Sequence, residues 1–394
     1  VGIFSVISLL GGLSIFLYGM DIMGDGLKSS SSKALKSMLE KVTHSAVLGM
    51  LTGTLVTSVI QSSTATIVLT VGLLSAGILN LRQSISIVMG ANIGTTVTAQ
   101  IIRLMDINSS GAAFIEIFKP STLAPLAVLC GIILLKFVKS QKTKGIGMML
   151  MGFGILFTGL MGMTEAVSPL SESQAFTDVL QKFSDVPILG ILTGLITTFI
   201  VQSSSAVIGM VQALSSTGAF TFQTVYPLII GINLGTCITT AIVCSIGTDK
   251  DAKRTGIAHI LFNCIGTVLF MAAIPLLHHA GALNFIWGKP MNSGGIANFT
   301  TIFNLVTAVA LLPFTNQLVK LTTLIVKDSP DDTEDFYPEM RTLDEKLFIS
   351  PALALHQVNI AEASMGRLAR KNFNRSIDQL VSYDPERSAK ISSV

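Results

Sequence analysis

Charge is what this sequence has least of. Asp, Glu, Lys and Arg make up 12% of its 394 residues, where an ordinary soluble domain carries about a quarter. The shortage is uneven, since 9 of the 26 basic and 12 of the 23 acidic residues lie beyond position 326. The net charge of +3 collects in short segments rather than along one face, so no nucleic-acid partner is expected.

Cysteine is scarce as well. Cys130, Cys237, Cys244 and Cys264 stand singly in apolar stretches, with no C-x-x-C pair and no His at zinc-ligand spacing, and read as small buried apolar residues. The sequence has no G-x-x-x-x-G-K-[ST] loop, which removes an ATP-driven pump within this chain, and no nucleophile elbow or HExxH that would make it an enzyme. His44, His259, His278, His279 and His356 have no partner spacing that suggests a metal or catalytic site, and are expected in loops or at a membrane interface.

What the chain has is apolar surface: half of it is hydrophobic, with a mean hydropathy of +0.67, which points to lipid as the solvent. Stretches near 2–20, 84–102, 121–138, 145–163, 225–246, 257–279 and 298–326 suit full membrane crossings, each needing about 20 residues. The first is followed by Gly19-Met-Asp-Ile-Met-Gly-Asp-Gly26 rather than a small-residue cleavage site, so it reads as a retained helix, not a signal peptide. Lys136 and Lys320, near the ends of their segments, can snorkel to the surface.

Two further apolar regions, 46–79 and 187–219, are cut by the polar blocks Gln61-Ser-Ser-Thr64 and Gln202-Ser-Ser-Ser205. Each is one broken crossing, two crossings, or a hairpin that dips in and returns. Lys28, Lys33, Lys36 and Lys41, then Lys139, Lys142 and Lys144, then Lys250, Lys253 and Arg254 mark three basic segments that the positive-inside rule places in the cytoplasm. They fall on one side only if each polar-centred region crosses an even number of times. The short halves favour re-entrant hairpins, the first entering from the cytoplasm and the second from outside. The N-terminus is then external and the tail cytoplasmic.

The chain also repeats itself. At a constant offset of 141, Thr52-Gly53 matches Thr193-Gly194, Gln61-Ser-Ser63 matches Gln202-Ser-Ser204, and Gly90-Ala-Asn-Ile-Gly-Thr95 matches Gly231-Ile-Asn-Leu-Gly-Thr236. Three crossings separate the starts of the two copies, and an odd number inverts the second in the membrane. The expected fold is therefore an all-α integral membrane protein of two inverted-topology repeats, each with a re-entrant helical hairpin, with about seven full crossings. Repeat 1 spans 1–144, repeat 2 spans 145–326, and 327–394 forms a linker and helical tail. In such folds the substrate sits near the midplane between the repeats.

At each hairpin tip, hydroxyls and the unpaired N–H groups of the helix that follows suit an oxyanion. The amide oxygens of Gln61 and Gln202 suit a hard cation such as sodium. The Asn-x-Gly-Thr blocks, Asn92 to Thr95 and Asn233 to Thr236, are expected to open their helices locally and face the tips. Thr98 and Thr239 share a helix face with Thr95 and Thr236. No Asp, Glu, Lys or Arg is expected at the centre of a crossing, so a bound dianion would rely on helix ends, hydroxyls and co-bound cations.

The Gln-Ser-Ser blocks Gln61-Ser-Ser-Thr-Ala-Thr66 and Gln202-Ser-Ser-Ser-Ala-Val207, with Gly90-Ala-Asn-Ile-Gly-Thr-Thr96 downstream, resemble the type II sodium/phosphate cotransporter family over about residues 1–326. The resemblance implies a sodium-coupled symporter of inorganic phosphate working by alternating access, in the cell (inner) membrane. It implies that Ser62, Ser63, Thr64, Ser203, Ser204 and Ser205 contact phosphate. Gln61, Gln202, Asn92, Thr95, Thr98, Asn233, Thr236 and Thr239 are then sodium or shared contacts, with sodium as a coupling ion and no other cofactor. Thr64 and Ala65 depart from the animal pattern, and no large insertion joins the halves. The tail, with an acidic linker 328–335 and an apolar stripe of Val358, Ala361, Met365 and Leu368 on a helix from about residue 350, resembles the start of a PhoU-like helical domain and reads as incomplete. Partners are then phosphate, sodium and the bilayer, with a homodimer open. A phosphate exporter, a carrier of sulfate or a dicarboxylate, and a non-transporting phosphate receptor stay open as alternatives.

Overall fold

Apolar, glycine-rich segments without long polar interruptions close their backbone hydrogen bonds internally, and the result is a helical molecule. The computed structural model describes residues 3–40, 45–75, 78–106, 119–169, 178, 182–183, 185–245, 250–327 and 351–381. Its helices are α1 (Ile3–Glu40), α2 (Ala46–Ile60), α3 (Ser63–Ser75), α4 (Leu81–Ile102), α5 (Pro120–Phe137), α6 (Gln141–Val167), α7 (Pro187–Val201), α8 (Ser204–Leu214), α9 (Phe222–Ser245), α10 (Lys250–His279), α11 (Ser293–Leu311), α12 (Thr315–Ile325) and α13 (Pro351–Val381). Among the described residues seven spans, with α11 and α12 joined as one, are long and apolar enough to cross a membrane. Their outer faces carry exposed apolar side chains such as Leu129, Val268, Leu276 and Leu324, the pattern of a surface that meets lipid. The chain is a multi-pass membrane protein.

The first helix is longer than its apolar run. It does not stop near residue 20 but continues to Glu40, so Asp21 and Lys28 lie on a helix, not in a loop. Packing explains this. A methyl group added to Gly12, Gly19 or Gly26 would strike the backbone of α6 around Gly159, Gly152 and Gly145 respectively, and the reverse additions strike α1. Two glycine heptads thus let the backbones of α1 and α6 touch. The pairing runs antiparallel, with Gly19 and Gly152 at its centre.

Two of the cysteines differ from expectation. Cys237 and Cys244 are buried, whereas Cys130 and Cys264 are exposed on α5 and α10, where a membrane protein's surface is itself apolar.

Both hairpins are held by one set of contacts, repeated. A methyl at Gly53 would meet the Ile87 carbonyl and one at Gly90 the Met50 carbonyl; Gly194 stands in the same relation to Leu228, and Gly231 to Ile191. Every number in the second set exceeds its partner by 141. Further along, Gly94 of α4 lies against Thr54 and Thr57 of α2, and Gly235 of α9 against Leu195 and Thr198 of α7, so α2 runs parallel to α4, and α7 parallel to α9. Gly49 at the start of α2 lies by Gln83 and Ser86 at the start of α4, and Asn80 caps α4 in a reciprocal box with Gln83, at 2.9 and 2.8 Å. The chain leaving α3 therefore comes back to the level at which α2 began.

The helix expected in the tail is α13, bounded by Pro351 and Val381. Ala361 is buried, but Val358 and Met365 of its expected stripe are exposed; Leu368 and the acidic linker 328–335 lie outside the residues whose side chains are described.

Candidate functional site

Each hairpin turns on a glutamine. Gln61 follows α2 with φ 60° and ψ 19°, and Gln202 follows α7 with φ 57° and ψ 19°; among the described residues these two alone outside glycine have positive φ. The left-handed step ends one helix, and the next begins two residues on. A non-glycine side chain held there costs about 1 kcal/mol or more, and finding it at matched positions marks both tips as built features.

Ser62 and Ser203 then act as helix caps. Ser62 Oγ accepts from the Ala65 amide at 3.2 Å, and Ser203 Oγ accepts from the Ala206 amide at 3.3 Å. The first backbone bonds of α3 and α8 run from Thr66 to the Ser62 carbonyl and from Val207 to the Ser203 carbonyl. The amides of Ser63, Thr64, Ser204 and Ser205 precede those bonds and belong to the open donors of a helix N-terminus.

The two tips meet. One cavity of about 210 Å³ is lined by Gln61, Ser62, Ser63 and Thr64 from the first hairpin and by Thr198, Gln202, Ser203, Ser204 and Ser205 from the second, with Thr236 and Thr239 of α9 and Leu17, Met20 and Asp21 of α1. All six expected anion contacts are therefore in one place, together with four of the eight expected cation contacts.

The other four are not on it. Asn92 and Asn233 are buried and donate to the carbonyls one turn back, Val88 at 3.1 Å and Ile229 at 2.9 Å. Neither α4 nor α9 opens at its Asn-x-Gly-Thr block, because the glycines there serve close packing on α2 and α7 instead. Thr95 donates to the Ala91 carbonyl at 3.1 Å, and Thr98 donates to Gln61 Oε1 at 2.6 Å. These residues stand behind the cavity wall.

Asn92 Oδ1 is 3.1 Å from Nε2 of His259, which is fully buried on α10 rather than at an interface or in a loop. The equivalent Asn233 Oδ1 accepts from Asn304 of α11 at 3.4 Å.

The copies differ in a way that matters at the cavity. In the first, Thr57 Oγ1 donates to Thr66 Oγ1 at 3.0 Å, and the Gln61 amide nitrogen donates to the Ser58 carbonyl. In the second, Val207 stands where Thr66 would be, so the buried Thr198 Oγ1 has no partner. Thr239 donates to the Thr236 carbonyl at 2.9 Å instead of to Gln202, which is exposed.

Residue-by-residue reasoning missed Asp21, Thr198, Leu17 and Met20. Thr198 had a signal, since it matches Thr57 at the repeat offset; Asp21 had one only if α1 was known to continue.

Known proteins with similar sequences bear on this site. The family profile described as Na+/Pi-cotransporter matches residues 15–165 and again 163–308. The uncharacterized protein YqeW of Bacillus subtilis (strain 168) is 29% identical over 323 residues, 82% of this chain and 98% of that protein. A protein of Escherichia coli O157:H7 with the provisional name inorganic phosphate export protein YjbB is 24% identical over 352 residues, 89% of this chain but 61% of its own length. Sodium-dependent phosphate transport protein 2B of Homo sapiens is 34% identical over 108 residues, 27% of this chain and 16% of that protein. No solved structure matches.

Proposed function

The chain belongs to the Na+/Pi-cotransporter family, and from that premise we propose that it carries inorganic phosphate across a membrane with sodium as the coupling ion. The observation that carries this reading is the convergence of two helix N-termini and six hydroxyl side chains, from Ser62 to Thr64 and Ser203 to Ser205, on one small cavity. A tetrahedral oxyanion accepts hydrogen bonds on every side, and open amides with hydroxyl donors supply them. Ser62 and Ser203 keep this capacity, since a hydroxyl that accepts from an amide still has its proton to donate.

Among the described residues no basic side chain lines the cavity. A dianion brought there pays a desolvation cost that helix ends offset only in part, and co-bound sodium supplies the remaining positive charge. Thr236 and Thr239 suit that ion. Their protons go to the carbonyls of Asn233 and Thr236, at 2.6 and 2.9 Å, which leaves oxygen lone pairs for a cation. With α1 and α6 crossed antiparallel and the hairpins related at one offset, inverted copies exchange roles and the site faces each side in turn.

A second reading, efflux rather than uptake, is favoured by the export protein matching 89% of this chain; it uses the same site and differs in the gradient that drives it. The test is a phosphate binding titration on the full chain at several sodium concentrations, with choline holding ionic strength fixed. Phosphate affinity should rise with sodium, and sodium affinity should rise by the same factor with phosphate. Equal phosphate affinity in sodium and in choline would remove symport. Counterflow of labelled phosphate in proteoliposomes, with the sodium gradient set each way, separates uptake from efflux.

A further inference from the structure

We infer that the cavity holds a cation subsite between α1 and the second hairpin, in which the Asp21 carboxylate and the Thr198 hydroxyl supply oxygens to a monovalent hard cation. The inference rests on the symport reading for the identity of that cation as sodium. Neither residue belongs to a Gln-Ser-Ser or Asn-x-Gly-Thr block, and each brings an independent observation.

Among the described residues Asp21 is the one charged side chain lining the cavity. Its neighbour Lys28 is paired with Asp25 at 3.2 Å, and among the described residues no basic side chain forms an ion pair with Asp21. A carboxylate that shares so small a space with a phosphate dianion repels it unless a cation lies between them. The presence of Asp21 at an anion site is therefore explained when its partner is the coupling ion.

Thr198 provides the second observation. Its hydroxyl is buried, lines the same cavity and has no hydrogen-bond partner. A buried polar group without a partner is disfavoured, and a ligand in the cavity removes the penalty. The orphan arises from divergence between the copies: Thr57 has Thr66 as its partner, and Thr198 has Val207 in that place.

The first copy cannot offer an equivalent subsite. Gln61 Oε1 is held by Thr98 at 2.6 Å, Thr57 is satisfied by Thr66, and neither Thr95 nor Thr98 reaches the cavity wall. The second copy presents Gln202, Thr236 and Thr239 there, beside Thr198. One carboxylate with several neutral oxygens fits a singly charged hard cation, whereas divalent sites commonly gather more acidic ligands.

The experiment uses the full chain in nanodiscs, with thermal unfolding followed as sodium chloride replaces choline chloride, and with phosphate binding measured separately in choline. Asp21→Asn should raise the sodium concentration for half-maximal stabilisation about ten-fold or more, the loss of one strong contact to a charged ligand. Thr198→Val should move it in the same direction, Thr198→Ser should restore it, and Thr57→Val should leave it where the wild type has it. Asp21→Asn should also tighten phosphate binding in choline, because a like charge has gone; a merely structural role for Asp21 gives no such gain. Sodium titrations of Asp21→Asn and Thr198→Val that match the wild type would overturn the inference. If wild-type phosphate affinity ignores sodium while a sodium stabilisation is still lost in Asp21→Asn, the subsite stands and the symport reading falls.

Discussion

Thr98 donates its hydroxyl to Gln61 Oε1 across 2.6 Å, which fastens the left-handed break of the first hairpin to the C-terminal part of α4. Its counterpart in the second copy, Thr239, makes no such bond to Gln202 and turns to the Thr236 carbonyl. One tip is locked by its own helix, and the other is left open to whatever enters the cavity.

Thr98→Val should therefore act on stability. It leaves a buried amide oxygen without its donor, at about 1–3 kcal/mol, and thermal unfolding will show the loss. Thr239→Val should barely move the unfolding temperature and should instead weaken the sodium dependence of phosphate binding.

Ser63→Ala and Ser204→Ala each remove a hydroxyl from the cavity wall and no packed apolar contact. A hydrogen bond to a charged group is worth about 1.5–3 kcal/mol, so phosphate affinity should fall some 10- to 150-fold with unfolding unchanged. Equilibrium binding of labelled phosphate measures this. Unaltered affinity in both would assign these serines to packing.

Gly53→Ala and Gly194→Ala should be equally damaging, since each new methyl would strike the carbonyl of Ile87 or Leu228. Backbone has little room to give, and about 3 kcal/mol or more is expected from overpacking. Gly11→Ala, with nothing within 4 Å, should instead stabilise α1 by about 0.5–1 kcal/mol. Unfolding temperatures and detergent-extracted yields compare the three.

His259→Leu should cost about 1–3 kcal/mol, because Asn92 Oδ1 loses its partner on α10. Thermal unfolding again reads it. Phosphate affinity in the folded fraction should stay near wild type, since neither residue lines the cavity.

Much of this architecture was legible in the residues. The breaks at Gln61 and Gln202 announce themselves because a polar block interrupts an apolar run twice at one spacing, and the seven long spans follow from hydropathy alone. The end of α1 was not legible. Asp21, Asp25 and Lys28 look like the start of a loop, yet the glycine face at Gly19 and Gly26 keeps the helix going by packing on α6. Propensity and polarity describe a segment by itself, and here a neighbour decides.

The Asn-x-Gly-Thr blocks misled for a related reason. Glycine beside an amide weakens a helix in isolation, but Gly90, Gly94, Gly231 and Gly235 are placed where α2 and α7 come closest. The helices stay intact, and Asn92 and Asn233 turn inward to His259 and Asn304. Which hydroxyls reach the cavity depends on helix rotation, and that is why Thr236 lines it while its repeat partner Thr95 does not.

The exchange of Thr66 for Val207 has a consequence for balance between conformations. A molecule made of two identical inverted halves, free of ligand and of any gradient, would spend equal time facing either side, because each orientation is the other turned over. Only residues by which the halves differ can tilt that equality. A buried hydroxyl pair present in one half, Thr57 with Thr66, and missing from the other is such a difference. If it is made in one orientation and strained in the other, its net worth of about 1 kcal/mol makes one facing state roughly five times as populated as its opposite. If the chain works by the alternating access proposed above, Val207→Thr should shift the resting populations of the two orientations, which distance measurements between spin labels across the hairpins can count.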